Sequence, residues 1–199
     1  MTPPRVALIT GAGSGFGRQL ALALAEAGYG VAANDRTPMQ LDETIRQIEA
    51  AGGEARAYIA ETGKGLPARA LVDDVLDDWG RIDLLANCLL VSPPADFLDL
   101  DEWDWQHALE VNLNGPFLLM QAVGRVMREQ GGGVIVNLLV PESGRPALDV
   151  AQAARRALSE STANAFLTYN IRVCALCPPA QGDPETVIHE IIQLASSPT

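Results

Sequence analysis

The clearest chemical signal in this 199-residue chain is a glycine-rich turn near its start. The turn, Thr10-Gly11-Ala12-Gly13-Ser14-Gly15-Phe16-Gly17, lies between a predicted strand at Arg5 to Ile9 and the helix-forming run Arg18 to Glu26. Glycine residues permit a tight turn here and let main-chain N–H groups approach a phosphate at the helix N-terminus. The alternative is a turn that binds nothing. The sequence predicts a pyrophosphate site formed by Thr10, Gly11, Ser14, Gly15, Phe16 and Gly17.

An acidic residue follows the second predicted strand. Gly30 to Asn34 is an apolar run that ends in Asp35, and Arg36 comes next. In a dinucleotide-binding unit an acid about 20 residues after the glycine turn accepts hydrogen bonds from the ribose hydroxyls. Asp35 is therefore predicted to contact the adenosine ribose.

The charge of the chain excludes some classes of partner. The net charge of −11 disfavours binding to nucleic acid or to an anionic membrane, because both require basic surfaces. We find no apolar run long enough to span a bilayer and no signal-peptide pattern, so a cytoplasmic protein is expected.

The three cysteines do not form a convincing metal or redox site. Cys174 and Cys177 spell C-x-x-C, but residues three apart on a strand point to opposite faces. We therefore expect them, and Cys88, to be buried small hydrophobic residues, and we predict no metal site.

Strand and helix patterns alternate along the chain without a linker, which predicts one domain over 1–199. Such alternation predicts an α/β fold of the Rossmann type, a doubly wound parallel sheet of about six strands with helices on both faces. Ligands then bind at the carboxyl ends of the strands. After the first two strands we predict strands at Ala55 to Ala60, Ile82 to Asn87, Val134 to Val140 and Ile171 to Cys177, and helices at Ala68 to Trp79, Leu100 to Glu129, Leu148 to Phe166 and Pro184 to Ala195.

Several further motifs resemble the short-chain dehydrogenase/reductase family. Besides the glycine turn, they are Gly80-Arg81-Ile82-Asp83-Leu84-Leu85-Ala86-Asn87, Glu102-Trp103-Asp104 followed by Val111-Asn112-Leu113-Asn114-Gly115, and Ile171-Arg172-Val173. The resemblance extends over nearly the whole chain. It implies NAD(P) as cofactor and an oxidoreductase ancestry.

The resemblance assigns cofactor contacts to particular residues. Asp35 matches the acid that favours NAD, because a carboxylate repels the extra phosphate of NADP. Arg36 can instead hold that phosphate, so NADP stays open. Glu61 stands near the family's adenine-contacting aspartate, with a solvated surface carboxylate as an equal alternative, and Asn87 matches the first residue of the family's N-N-A-G.

The catalytic residues of the family are mostly replaced. Asn112 matches the active-site asparagine, which in the family interrupts a helix and holds a water of the proton relay, and the alternative is a purely structural helix break. Ala151 stands at the tyrosine position and Arg155 at the lysine position. Val140 stands where the family has a serine that orients the substrate carbonyl, and its side chain cannot donate a hydrogen bond. A tyrosine works as an acid or base only when a nearby cation lowers its pKa. Arg155 therefore has no phenol to tune, and we expect it to pair with acids on an exposed or dimer-facing side of its helix.

The nicotinamide end is also altered. Leu90 and Pro179 replace two family glycines and are expected to crowd the nicotinamide ribose. Of the possible substitute donors, Ser143 lies in an obvious turn, whereas Tyr169 and His107 are more typical of packing residues.

These observations predict a family member impaired in the usual chemistry, and whether it is an enzyme is left open. The alternatives are an active NAD(P)-dependent oxidoreductase with a rearranged site and a structural subunit of a hetero-oligomer. The expected ligand is a dinucleotide or an ADP-ribose-like molecule. The resemblance implies a homodimer, because in the family the two long helices commonly form a four-helix dimer interface, and their small and aliphatic side chains here are compatible with it. The family's substrate-covering segment and seventh strand have no counterpart up to Thr199, so the sixth strand is expected at a sheet edge.

Overall fold

The computed structural model describes residues 4–178 and 183–197. Six strands alternate with helices along these residues. The strands are β1 (Val6–Thr10), β2 (Gly30–Asp35), β3 (Ala55–Ile59), β4 (Leu84–Asn87), β5 (Gly133–Leu138) and β6 (Ile171–Leu176). The helices are α1 (Gly15–Glu26), α2 (Pro38–Ala50), α3 (Gly65–Trp79), α4 (Glu102–Leu109), α5 (Gly115–Gln130), α6 (Pro146–Phe166) and α7 (Glu185–Ser196).

The strands form one parallel sheet in the order β3-β2-β1-β4-β5-β6. Chain order reverses beside β1, which is the switch point at which doubly wound sheets bind ligands. The predicted Rossmann-type fold is confirmed. Among the described strands β6 is the edge next to β5, as expected.

Each face of the sheet is covered by its own apolar layer. One layer contains residues of α1, α2 and α7, and the other contains residues of α3, α5 and α6. All five residues of β1 are buried, because both faces of this central strand are covered. None of the described helices has the length and apolar composition needed to span a bilayer.

The structure corrects several predicted boundaries. The helix predicted from Leu100 to Glu129 is interrupted by a π-helical turn at Glu110–Asn114. Helix α2 was not predicted, although its buried residues Leu41, Thr44 and Ile48 are spaced for one helix face. Strand β5 ends at Leu138 instead of Val140, because its pairing with the neighbouring β6 ends at Leu138 and Leu176. Smaller shifts move the start of β4 from Ile82 to Leu84 and the ends of β3 and β6 to Ile59 and Leu176.

Candidate functional site

The glycine turn joins β1 to α1 at the carboxyl edge of the sheet. A Cβ atom on Gly17 would lie 2.2 Å from the carbonyl oxygen of Gly11, so the first helical turn packs against the loop with no room for a side chain. Gly15 has φ +53°, and no atom lies within 4 Å of the place where its Cβ would stand. The turn is therefore tight on its inner side and open on its outer side. An open backbone at a helix N-terminus fits a phosphate group.

Other predicted turn residues have distinct positions. Ser14 is the exposed N-cap of α1, and its side chain makes no capping hydrogen bond. Phe16 is half-buried against the apolar layer of α1, so it has a packing contact as well as a place in the turn. Thr10 is buried, and its hydroxyl accepts hydrogen bonds from the N–H groups of Cys88 at 3.1 Å and Leu89 at 3.3 Å. Thr10 therefore holds the loop after β4 beside the start of the turn.

Asp35 is buried, and main-chain donors fix its carboxylate. Oδ1 accepts hydrogen bonds from the N–H groups of Arg36 at 2.7 Å and Thr37 at 3.1 Å. Oδ2 accepts one from the N–H of Gly13 at 3.0 Å. A carboxylate has about four lone-pair positions, so about one remains, on Oδ2, for a ribose hydroxyl. One of the three donors, Gly13, belongs to the glycine turn, so Asp35 is fixed beside the predicted pyrophosphate site.

Arg18 supports the same turn and was not among the predicted site residues. Its Nε donates to the hydroxyl of Thr44 at 3.0 Å, and its Nη2 donates to the carbonyls of Gln40 at 3.0 Å and of Gly13. These bonds connect the glycine turn to α2. An arginine one position after the last glycine was the only sequence signal for this role.

A pocket of about 340 Å³ lies beside the glycine turn. Arg36 and Glu61, which were predicted to contact the cofactor, line it, and Glu61 forms an exposed ion pair with Lys64 at 3.5 Å. His107 lines the pocket too and stacks on Trp103, with ring centroids 5.1 Å apart. The pocket therefore combines aromatic surfaces with two cationic side chains, a lining that suits a nucleotide.

Asn87 ends β4 and belongs to a buried polar row across the sheet. Its Nδ2 donates to Oδ1 of Asn137 at 2.8 Å, and Asn137 donates to the hydroxyl of Ser159 at 2.9 Å. The Asn87 Oδ1 atom is buried and has no donor among residues 4–178 and 183–197. It remains the free acceptor of this row.

Asn112 lies in the π-helical turn and is fully buried. Its side chain pairs with the main chain of Val91 in both directions, donating to the carbonyl at 2.7 Å and accepting from the N–H at 2.9 Å. The amide therefore ties the helix break to the loop after β4. The expected interruption of the helix by this residue agrees with the observed π turn.

Arg155 is fully buried, which contradicts the expectation that it pairs with acids on an exposed helix face. Its Nε donates to the carbonyl of Asn112 at 2.7 Å, Nη1 to Leu138 at 2.8 Å and Nη2 to Leu89 at 3.3 Å. The helix turns this position inward, and three segments around the site present carbonyl oxygens to one planar guanidinium. Burial lowers the pKa of Arg155 to about 10, so the group stays charged at neutral pH.

The remaining family positions carry no donor side chains. Ala151 is fully buried, and Val140 is half-buried. The N–H of Val140 donates to Oε1 of Gln152 at 3.2 Å, whereas Nε2 of Gln152 is buried without a partner among the described residues. A hydroxyl or phenol is therefore missing at each place where the family resemblance expects one.

The possible substitute donors lie in different places. Ser143 is exposed in the loop between β5 and α6, and its hydroxyl donates to Oδ1 of Asp149 at 3.0 Å. Tyr169 lies just before β6, at the opposite edge of the sheet from the glycine turn, with Arg128 over its ring. Leu90 is half-buried, and Pro179 lies outside the described residues.

The cysteines differ in exposure. Cys88 is buried, as predicted, and burial raises the pKa of its thiol to about 12. Cys174 is half-buried, but Cys177 is exposed just after β6, so the expectation of a buried residue is wrong there. No group of metal-binding side chains is present within residues 4–178 and 183–197.

Known proteins resemble this chain over most of its length. Residues 5–186 match the family described as short chain dehydrogenase. An uncharacterized oxidoreductase of Thermotoga maritima is 37% identical over 179 residues, which are 87% of this chain and 70% of that protein. D-threitol dehydrogenase of Mycolicibacterium smegmatis is 38% identical over 134 residues, 67% of this chain and 52% of that protein. The chain thus spans only about half the length of this second relative.

A solved structure gives the same result for the fold. A metagenomic short-chain oxidoreductase in complex with NADP superimposes with a TM-score of 0.93 at 26% identity, covering 98% of this chain and 92% of that chain. The order of elements around the glycine turn is therefore shared with a protein that holds a dinucleotide.

Proposed function

Since the chain belongs to the short-chain dehydrogenase family, we propose that it binds the adenosine half of a dinucleotide but does not perform the family's acid–base chemistry. One observation carries the proposal. Arg155, at the family's lysine position, uses its guanidinium to hold three main-chain carbonyls, and the tyrosine position beside it is Ala151.

The described residues offer a contact for each part of the adenosine half. The N-terminus of α1 and the open side of Gly15 would receive the pyrophosphate. Asp35 would accept a ribose hydroxyl on Oδ2, and the pocket lined by Arg36 and Glu61 would take the adenine. Asp35 is already oriented by three main-chain donors and Glu61 by its ion pair with Lys64, which reduces the reorganisation that opposes binding.

NAD is the proposed cofactor, with NADP as the alternative. The buried Asp35 carboxylate lies within the turn that would hold the ribose, and its charge opposes a second phosphate there. Arg36 and Lys64 line the neighbouring pocket and supply the opposite charge, which is the observation that favours NADP. Comparing the affinities of the two cofactors decides between them.

When bound, the nicotinamide would supply or accept a hydride, but the proton step needs a donor from the protein. General acid–base catalysis by a side chain contributes about 10²- to 10⁴-fold to rates, and neither Val140 nor Ala151 can provide it. We therefore expect panels of carbonyl and alcohol substrates to stay at background rates with NAD(H) or NADP(H). Turnover well above background would contradict the proposal.

An active oxidoreductase with a relocated donor is the second candidate. The hydroxyl of Ser143 is bonded to the Asp149 carboxylate in the loop after β5, where a ligand at the carboxyl edge could meet it. Under this candidate turnover is robust and is lost in Ser143→Ala. Ser196→Ala, an exposed serine on α7 away from the carboxyl edge and the α5–α6 face, is the matched control.

We also propose a cytoplasmic homodimer in which α5 and α6 pack against the same helices of a second copy. A groove on this face is lined by the exposed Phe117, the half-buried Leu158 and small residues that include Gly124 and Ala165. A hetero-oligomer with an active relative is the alternative assembly. Light scattering at micromolar concentration tests the dimer, and a monomer would contradict it.

A further inference from the structure

Two exposed features of this chain are complementary to each other. The first is the acidic turn, Asp96–Asp99, which follows β4 and closes with a bond from the N–H of Asp99 to the carbonyl of Asp96 at 3.1 Å. Its two central residues are apolar and project into solvent, Phe97 being 74% and Leu98 95% exposed. Exposed side chains of this size, one beside the other, are typical of a contact surface.

The second feature is the arginine groove, a cavity of about 450 Å³ between α5 and α6. Its floor includes Gly124, where the ring of Phe166 lies 2.6 Å from the place of a Cβ atom, so the glycine makes room for the aromatic ring. Arg125 and Arg128 are exposed and line the groove. The groove thus offers an apolar floor with two cations, on a chain whose net charge is −11.

The charges of both features are uncompensated. Within residues 4–178 and 183–197, none of the salt bridges involves Asp96, Asp99, Arg125 or Arg128. The acidic turn carries two carboxylates around two apolar side chains, and the groove carries two guanidinium groups around an apolar floor. Opposite charges around matching apolar centres favour association and fix its register.

The two features lie at opposite ends of the molecule. The acidic turn follows the carboxyl end of β4, whereas Arg125 and Arg128 lie near the end of α5, which leads to the amino end of β5. One copy cannot bring them together. If two copies are related by a two-fold axis with α5 antiparallel to its partner, the carboxyl edge of each copy faces the end of α5 of the other, which would bring each acidic turn to the other copy's groove.

We propose that the acidic turn of one copy docks in the arginine groove of a second copy, twice in each dimer. The inference rests on the proposed homodimer and names the contact that fixes how its two copies are aligned. Phe97 and Leu98 cover the apolar floor, and the aspartates pair with Arg125 and Arg128.

The test is a charge exchange measured by sedimentation equilibrium. Arg125→Glu with Arg128→Glu, or Asp96→Lys with Asp99→Lys, places like charges together at both contacts and should raise the dimer dissociation constant about 10- to 100-fold. Mixing the two variants restores opposite charges at both contacts of the heterodimer, so they should associate with each other more tightly than either does with itself. Arg69→Glu, an exposed arginine on α3 outside the groove, is the control and should have no effect.

The outcomes separate this contact from the proposed dimer. A wild-type monomer at micromolar concentration overturns both. A wild-type dimer whose dissociation constant is unchanged by either double reversal overturns the contact alone and leaves packing of α5 and α6 in place. Two variants that dissociate but fail to recombine also overturn it, because their restored charges would have no complementary site.

Discussion

The Nε of Arg155 donates a hydrogen bond to the main-chain carbonyl of Asn112 at 2.7 Å, and the Asn112 side chain in turn pairs with Val91. The two residues that match the family's lysine and asparagine positions therefore contact each other directly. With Leu89 and Leu138 as further acceptors, Arg155 joins the loop after β4, the π turn and the end of β5. The Arg155 guanidinium therefore has a structural role at the position where the family has its catalytic lysine.

Replacement of Arg155 by methionine should destabilise the protein. Two buried carbonyls and one partly buried carbonyl would lose their donor, and the cost of leaving them unpaired should reduce the free energy of unfolding by about 2 to 4 kcal/mol. Urea unfolding followed by circular dichroism measures the change. Arg155→Lys keeps a cation and some of the donors, so it should lose less. Equal stability of Arg155→Met and the wild type would refute the structural role.

Most of the fold was predictable from the sequence, because apolar runs such as Val6 to Ile9 and helical periodicity are local signals. The break in the helix at Asn112 was expected from the family resemblance, but its bounds over 110–114 were not, since they depend on the pairing of Asn112 with Val91 from another segment. The prediction that Arg155 is exposed was wrong for the same reason. An arginine is usually exposed, and only the tertiary structure brings three free carbonyls to it.

The candidate site was predictable where it depends on one short motif. The glycine turn and Asp35 could be identified, whereas the role of Arg18 depends on Thr44 and Gln40 in α2, a helix that was not predicted. The assignment of Ala151 and Arg155 to the family's tyrosine and lysine positions depended on the family resemblance and not on a local sequence pattern.

Gly17→Ala should abolish nucleotide binding. A Cβ at this position would stand 2.2 Å from a main-chain oxygen, which cannot move without opening the turn. Gly65→Ala is a matched control on α3, because its Cβ would meet only Leu118 at 3.9 Å. We expect binding of ADP-ribose by calorimetry to be lost in the first variant and retained in the second. Unchanged binding in Gly17→Ala would show that the turn is not the phosphate site.

Asp35→Ala should weaken binding of ADP-ribose at least about tenfold, or about 1.4 kcal/mol. The change removes the acceptor for the ribose and also the bond that holds Gly13. Asp42→Ala, an exposed acid on α2, controls for the lost charge. If both variants bind as the wild type does, Asp35 has no part in the site.

Stability should fall at alkaline pH because of Cys88. Burial raises the pKa of this thiol from 9.0 to about 12, so the folded state retains a proton that the unfolded state releases. The stabilisation is fully present below pH 9 and is lost as the pH rises towards 12, by about 2 kcal/mol at pH 10.5. Urea unfolding of the wild type and of Cys88→Ala between pH 8 and 11 measures the difference. Parallel curves for the two proteins would contradict the prediction.

Calorimetric titration with ADP-ribose and NAD tests the central claim most directly. The adenosine half has its glycine turn and acid, whereas the nicotinamide end has Leu90, Ala151 and a guanidinium committed to carbonyls. We predict that the two ligands bind with dissociation constants within about tenfold of each other, or about 1.4 kcal/mol. NAD binding far more tightly than ADP-ribose would show that the protein holds the nicotinamide half productively, and would contradict the account.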